Sequence, residues 1–193
     1  KMRLKAYVSN LEKEFVLIRD VQQLQESNDE ISEHVDSILT GLIDAQFVST
    51  GRKDFDLDAN QISDMGFEII DLNLFNQNSL PETFDSLAAR VIPLTVEILD
   101  NSTYNYPDAL SAGEQISAEG NWSAETGVLG TFMNAGQFQG QGEKFLGIRF
   151  TDDKLFKYGW IRIYCSQHND TLRIIDYAYN ESSGNSLLAG QIE

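Results

Sequence analysis

The run Asp54-Phe55-Asp56-Leu57-Asp58-Ala59-Asn60-Gln61-Ile62-Ser63-Asp64 carries the sharpest chemical signal in the chain. Counted from Asp56, side-chain oxygens fall at positions 1, 3, 5 and 9, supplied by Asp56, Asp58, Asn60 and Asp64. Calcium takes six to eight hard oxygen ligands, and a curled loop aims alternate side chains inward. The carbonyl of Ile62, at position 7, would add a ligand, and water would complete the shell. Three carboxylates this close repel one another, a cost that a divalent ion relieves. The loop is no EF-hand: position 12 is Phe67 instead of Glu, and position 6 is Gln61 instead of Gly. It is nearer to the short Asp-rich loops that bind calcium between strands. The competing reading is a hairpin turn whose Asp and Asn side chains bond to local backbone amides.

Other chemistries find weaker support. His34 and His168 are the only histidines, and Cys165 is the only cysteine, so zinc is disfavoured and no intramolecular disulfide is possible. His168 falls in a turn, and Cys165 shares an apolar face with Ile161 and Ile163, which predicts a buried, inert thiol. With 30 acidic residues, no single pair of carboxylates stands out for glycoside hydrolysis. The Gly136–Lys144 stretch lacks the Gly-Lys-Ser/Thr ending of a phosphate-binding loop. Tyr104, Tyr106, Trp122, Tyr158, Trp160, Tyr177 and Tyr179 suit ring stacking on sugars, but core packing explains most of them more cheaply. Asn-x-Ser/Thr triplets begin at Asn101, Asn121, Asn169 and Asn180; they do not by themselves mean glycosylation.

The elements that must position these residues read as strands. Trp160 to Cys165 alternates, and after the turn-forming Ser166–Asp170 the chain returns over Thr171–Tyr179. The alternation places Leu172 and Ile174 on one face and Ile175, Tyr177 and Tyr179 on the other. Phe145–Phe150, Phe67–Leu74 and Val91–Leu99 are further strands, with Pro93 marking an edge or a bulge in the last. Residues 101–121 read as loops around short strands, and Gly136–Gly142 as a flexible loop. The first 45 residues are less legible: Glu30–Ile43 suits a short helix or a polar strand, and is read as β. The fold class expected is all-β, mainly antiparallel, a β-sandwich or jelly-roll-like domain over 1–193. One short helix near the N-terminus, an arm or added strands are the options for 1–45.

The 193 residues carry 30 acidic against 14 basic side chains, a formal charge of −16. Between Lys53 and Lys144 the only basic residue is Arg90, against fifteen Asp and Glu. Such a surface repels phosphate backbones, so nucleic acid is not an expected partner, while cations or basic partners are attracted. The same charge also serves as a solvated, solubilising face. No apolar run approaches the roughly 20 residues of a membrane helix; Phe15–Ile18 is strand-sized. Lys1 stands where an initiator Met would be, as in a processed chain whose signal peptide is gone.

Several segments together resemble a family of exported bacterial β domains. Such domains occur in proteins with C-terminal sorting signals and in secreted or surface proteins of Bacteroidetes-like organisms. The matching segments are Phe55–Asp64 with Phe67, Ala109–Gly113 with Ile116, Phe145–Phe150, Tyr158–Arg162, Asp176–Tyr179 and Leu188–Gln191. Gln61 departs from the pattern where a glycine is usual, and no sorting tail follows Gln191. The resemblance implies a β fold and export to the cell surface or beyond; with no sorting tail, a surface-attached protein would carry an N-terminal anchor, such as a lipidated Cys upstream of Lys1. It brings no established activity. The function expected is a non-enzymatic module for adhesion or ligand binding, to an extracellular glycan or surface protein, with calcium bracing one loop. The alternative is a secreted polysaccharide-acting hydrolase using paired carboxylates.

Overall fold

The computed structural model describes residues 37–72, 86–104, 106–131, 134–152 and 155–193. Phe15–Ile18, His34 and most of the segment where a short helix is one option lie outside the described residues. From Ile38 onward the uncertain N-terminal segment is strand, and no helix occurs among the described residues. Residues 37–193 form one compact unit. The fold is all-β, antiparallel and sandwich-like.

The strands are β1 (Ile38–Phe47), β2 (Gly51–Phe55), β3 (Met65–Asp71), β4 (Leu87–Pro93), β5 (Val96–Asp100), β6 (Ala109–Leu110) and β7 (Gln115–Ile116). They continue with β8 (Asn121–Ser123), β9 (Gly127–Thr131), β10 (Glu143–Asp152), β11 (Leu155–Cys165), β12 (Leu172–Asn180) and β13 (Leu187–Leu188). The large sheet runs in the order β1-β12-β11-β10-β5-β8, with β6 added to β10. A second sheet runs β2-β3-β4-β9, and β13 pairs β7. Phe67, Ile69, Val91 and Leu129 of the second sheet share one buried cluster with Ile98, Ile148, Ile161 and Ile174 of the large sheet. That cluster is the sandwich core. The other face of the large sheet is covered as well: Trp160, Tyr158 and Ala178 pack with Leu110, Ile116, Leu187 and Ala189. The indole N–H of Trp160 donates to the carbonyl of Gln191 at 3.0 Å, which fastens the C-terminal residues. Opposite charges sit directly across strands at Arg90/Glu68, Arg149/Glu97 and Arg162/Asp176, a favourable arrangement on a pleated surface.

Two sequence expectations are corrected here. Val91–Leu99 is two strands in different sheets: β4 ends at Pro93, the chain turns at Leu94-Thr95, and β5 begins at Val96 in the large sheet. Proline has no N–H to continue a ladder, so the strand stops there. Tyr177 and Tyr179 share the core-facing side with Leu172 and Ile174 instead of opposing them. Arg162 pairs with Asp176 while Ile163 pairs with Ile174, so Ile175 is an extra residue. One such bulge shifts the alternation by one position. The same irregularity appears in β1 between Leu42 and Ala45, where Asp44 has φ 46°. Gly41 lies opposite Tyr177, and a Cβ there would meet the Tyr177 ring at 2.2 Å. Only a glycine lets that ring lie across β1.

Gly136–Gly142, expected as a flexible loop, is tied to the sandwich. Phe138 is fully buried, its N–H donates to the Leu129 carbonyl at 3.0 Å, and Gly140 N–H donates to the Cys165 carbonyl at 3.0 Å. Among the described residues no helix is long and apolar enough to cross a membrane.

Candidate metal centre

The Asp-rich loop joins β2 to β3, and its two ends are held differently. At the far end Asp64 is only 1% exposed. Its Oδ2 accepts the Leu57 N–H at 2.8 Å, and its Oδ1 accepts the Thr95 hydroxyl. Its carbonyl accepts the N–H groups of Leu94 at 2.9 Å and Thr95 at 3.1 Å. Leu94 and Thr95 are where the chain crosses from one sheet to the other. Asp64 therefore clamps the loop and the crossing together. Leu57, 1% exposed, plugs the loop into the core.

The tip is built from Asx turns. Asp56 accepts the N–H of Asn60 at 3.2 Å and of Gln61 at 2.7 Å. Asp58 accepts the Asn60 N–H at 3.1 Å and the Asn60 side-chain Nδ2 at 2.9 Å. Asn60 Oδ1 accepts the Ile62 N–H at 2.8 Å. Ala59 and Gln61 take φ 60° and 73°, so Gln61 occupies the left-handed conformation that a glycine would ease. The side chains cap local amides, as a hairpin turn would have them, and the three carboxylates still converge.

One carboxylate oxygen from each of Asp56, Asp58 and Asp64 lies within 4.8 Å of the others. Ligands of a single calcium ion sit up to about 5 Å apart, twice the metal–oxygen distance. The three aspartates can hold a metal ion. Asn60 turns its amide nitrogen to Asp58 and accepts the Ile62 N–H on its oxygen; its role as a ligand stays an expectation. Ile62 shows its N–H in that bond and an exposed side chain; its carbonyl role stays an expectation.

The electrostatics agree with crowding. Burial pushes the Asp58 carboxyl above its ordinary pKa, the Asn60 N–H offsets this, and the neighbouring Asp64 and Asp56 raise it again. Tyr177 and Tyr179 feel the same charges. Burial first, then Asp56, Asp58 and Asp64, raise the Tyr177 phenol; burial first, then mainly Tyr177 and Asp58, raise Tyr179. The two rings stack with centroids 6.5 Å apart. Sequence reasoning missed these neighbours of the loop, because their position depends on the bulge at Ile175.

A second acidic region lies elsewhere. A cleft of about 610 Å³ is lined by Asp100, Asp108, Glu114 and Glu119 together with Asn101 and Asn121. Burial raises the Asp100 carboxyl, a Ser123 hydrogen bond lowers it, and the Asp108 charge raises it. Burial likewise raises Asp108, Glu114 adds to this, and Asn101 opposes it. Asp100 Oδ1 is buried without a hydrogen-bond partner among the described residues. No spacing in the sequence singled out this group.

The remaining candidates fall into place individually. Cys165 is fully buried, and burial pushes its thiol up to about 12, so it is a poor nucleophile at neutral pH. His168 is exposed in the β11–β12 turn. Trp160, Tyr158 and Tyr179 are core residues, whereas Tyr104 is 69% exposed. Of the four Asn-x-Ser/Thr asparagines, Asn169 and Asn180 are buried and Asn121 is exposed. The chain matches no protein-family model, no curated protein and no solved structure.

Proposed function

We propose that the chain is an exported, non-enzymatic β-sandwich module for adhesion or ligand binding, braced by a calcium ion in the β2–β3 loop. The observation that carries this is the convergence of Asp56, Asp58 and Asp64 oxygens within 4.8 Å, around a loop whose base is already fixed by buried bonds. Oxygen-only donors select a hard cation, and a loop with flexible ligand geometry suits calcium better than magnesium, which demands a strict octahedron. The ion's role is structural: it holds the tip as Asp64 holds the base. Export rests on the resemblance to exported bacterial β domains; a glycan or surface protein is the ligand that an exported module of this kind would meet.

Titration calorimetry of the chelator-stripped protein tests the calcium reading. A site with Kd about 10⁻⁴ M, typical of extracellular modules, adds about 1.4 kcal/mol of stability at about 1 mM calcium. Heat should appear with calcium, weaken in Asp58→Asn, and be absent with magnesium at the same concentration. The cation should also lower the pH at which Tyr177 ionises, because it offsets the carboxylate charges that help raise that phenol. Ultraviolet titration with and without calcium reads this shift. Neither heat nor a melting shift at millimolar calcium would remove the ion from the proposal, and a glycan array with and without calcium tests the ligand.

A second reading, a polysaccharide-acting hydrolase, draws on the acidic cleft. Asp100 and Asp108 line it together, and both carboxyls are raised, the condition a general acid needs. Hydrolysis of a polysaccharide panel that is lost in both Asp100→Asn and Asp108→Asn would favour it; an inert wild-type protein would dismiss it.

A further inference from the structure

Asp56 and Asp58 are bonded to amides of the loop that carries them; Asp64 reaches beyond it. Its backbone N–H donates to the Phe55 carbonyl at 2.8 Å, which closes the loop on itself. Its Oδ1 accepts a hydroxyl from Thr95, 31 residues further along the chain. Thr95 is exposed, and with Leu94 it makes the two-residue turn from β4 of the second sheet to β5 of the large sheet. A hydroxyl at an exposed turn can bond to water equally well. Here it is directed to a carboxylate that is 1% exposed.

That bond bears on the metal. An ionised carboxylate has about four lone-pair sites, and Asp64 uses one on each oxygen, for the Thr95 hydroxyl and for the Leu57 N–H at 2.8 Å. The same carboxylate has an oxygen within 4.8 Å of oxygens of Asp56 and Asp58, so it can keep both donors and still face a cation. Donors of this kind fix the rotamer of a ligating carboxylate, and their loss weakens metal binding about 10–100-fold. Thr95 belongs to the crossing as well: its N–H and that of Leu94 donate to the Asp64 carbonyl at 3.1 Å and 2.9 Å. An opening of the crossing therefore takes the hydroxyl and both carbonyl bonds from Asp64 at once. Two exposed carboxylates at the tip are then left to hold the ion.

We propose that Thr95 is a positioning residue for the cation, and that calcium in the loop locks the β4–β5 crossing between the sheets through Asp64. This rests on the calcium reading of the β2–β3 loop. Linkage makes the effect run both ways: a closed crossing favours the ion, and the ion favours a closed crossing. An ion that binds the closed form and not the open one lowers the open fraction by one plus the ratio of its concentration to Kd. With Kd about 10⁻⁴ M and calcium about 1 mM, that factor is about 11. The ion thus steadies a junction between two sheets as well as the tip that supplies its ligands.

Two measurements on the intact chain test this. Calorimetry reads the affinity: Thr95→Val keeps the shape, loses the hydroxyl and should bind calcium at least about tenfold more weakly, while Thr95→Ser should match the wild type. A hydroxyl that serves only the fold would lower the melting temperature equally with and without calcium and leave Kd unchanged, which overturns the proposal. Hydrogen exchange reads the coupling: calcium should slow the Leu94 and Thr95 amides of the wild-type protein about tenfold. Heat of binding without any slowing of those amides overturns the coupling and leaves the calcium site standing. No heat removes the site and the coupling together. The wild-type exchange decides the question even if the valine variant fails to fold.

Discussion

In the β2–β3 loop, Asp56, Asp58 and Asp64 come from one short run and accept the N–H groups of that same run. In the cleft, Asp100, Asp108, Glu114 and Glu119 arrive from β5 and from the long excursion around β6 and β7. The loop answers most of its carboxylate charge with backbone dipoles and still leaves three oxygens converging. The cleft leaves a carboxylate oxygen of Asp100 buried without a hydrogen-bond partner among the described residues. Backbone amides therefore organise one acidic region, and tertiary packing forces the other together. A local cluster that converges through its own backbone bonds could hold a cation; a packed cluster holds its charges at a cost to stability.

The largest test of this contrast falls on Asp64. Asp64→Ala leaves the Leu57 N–H and the Thr95 hydroxyl without their acceptor at the point where the chain changes sheets. Bonds to a charged group are worth about 1.5–3 kcal/mol each, and stranded buried donors add to the loss. Urea unfolding should show a loss of about 2–4 kcal/mol, whereas Asp58→Ala at the tip should cost under about 1 kcal/mol without calcium. Equal losses at the two sites would mean that the base of the loop is not its anchor.

A smaller effect, of opposite sign, belongs to the cleft. Asp108 is raised above its ordinary 3.8 by burial first and by Glu114 second. A carboxyl raised in the folded state binds protons more readily there than in the unfolded chain. Its contribution is fully present below its unfolded pKa and is lost as pH rises through the folded value. Asp108→Asn should therefore stabilise the protein near pH 7, by less than about 1 kcal/mol given solvent screening, and change nothing near pH 3. Thermal melts across that range check the sign. Destabilisation at neutral pH would show that the Asn101 bond outweighs the repulsion.

The same division into local and packed features explains what the sequence revealed. The β11–β12 hairpin, the loop aspartates and the buried state of Cys165 were readable, because each depends on neighbours a few residues apart. Strict alternation puts Tyr177 and Tyr179 on the wrong face, since it has no way to register the extra residue at Ile175. Pro93 marks an edge or a bulge in the sequence, but its placement at the end of β4, before a change of sheet, requires the long-range bonds from Asp64. The cleft was invisible because thirty acidic residues give any grouping a background of equals. Asn169 looked like an ordinary turn residue in Ser166–Asp170, and only the packing over Gly130 shows that its side chain turns inward.

The finest test concerns Gln61, where the loop's chemistry and its backbone disagree. Its N–H donates to Asp56 at 2.7 Å, a bond that any residue but proline retains at this position. Its φ of 73° is one that a side chain bearing a Cβ adopts at a cost and a glycine adopts freely. Glycine also gains entropy in the unfolded chain, which cancels part of the relief. Gln61→Gly should thus stabilise the metal-free protein by only about 0.5 kcal/mol. Because the carboxylates would turn inward with less strain, the variant should also bind calcium more tightly by calorimetry. A variant that binds calcium more weakly would imply that the strained turn itself is what keeps Asp56 and Asp58 facing Asp64.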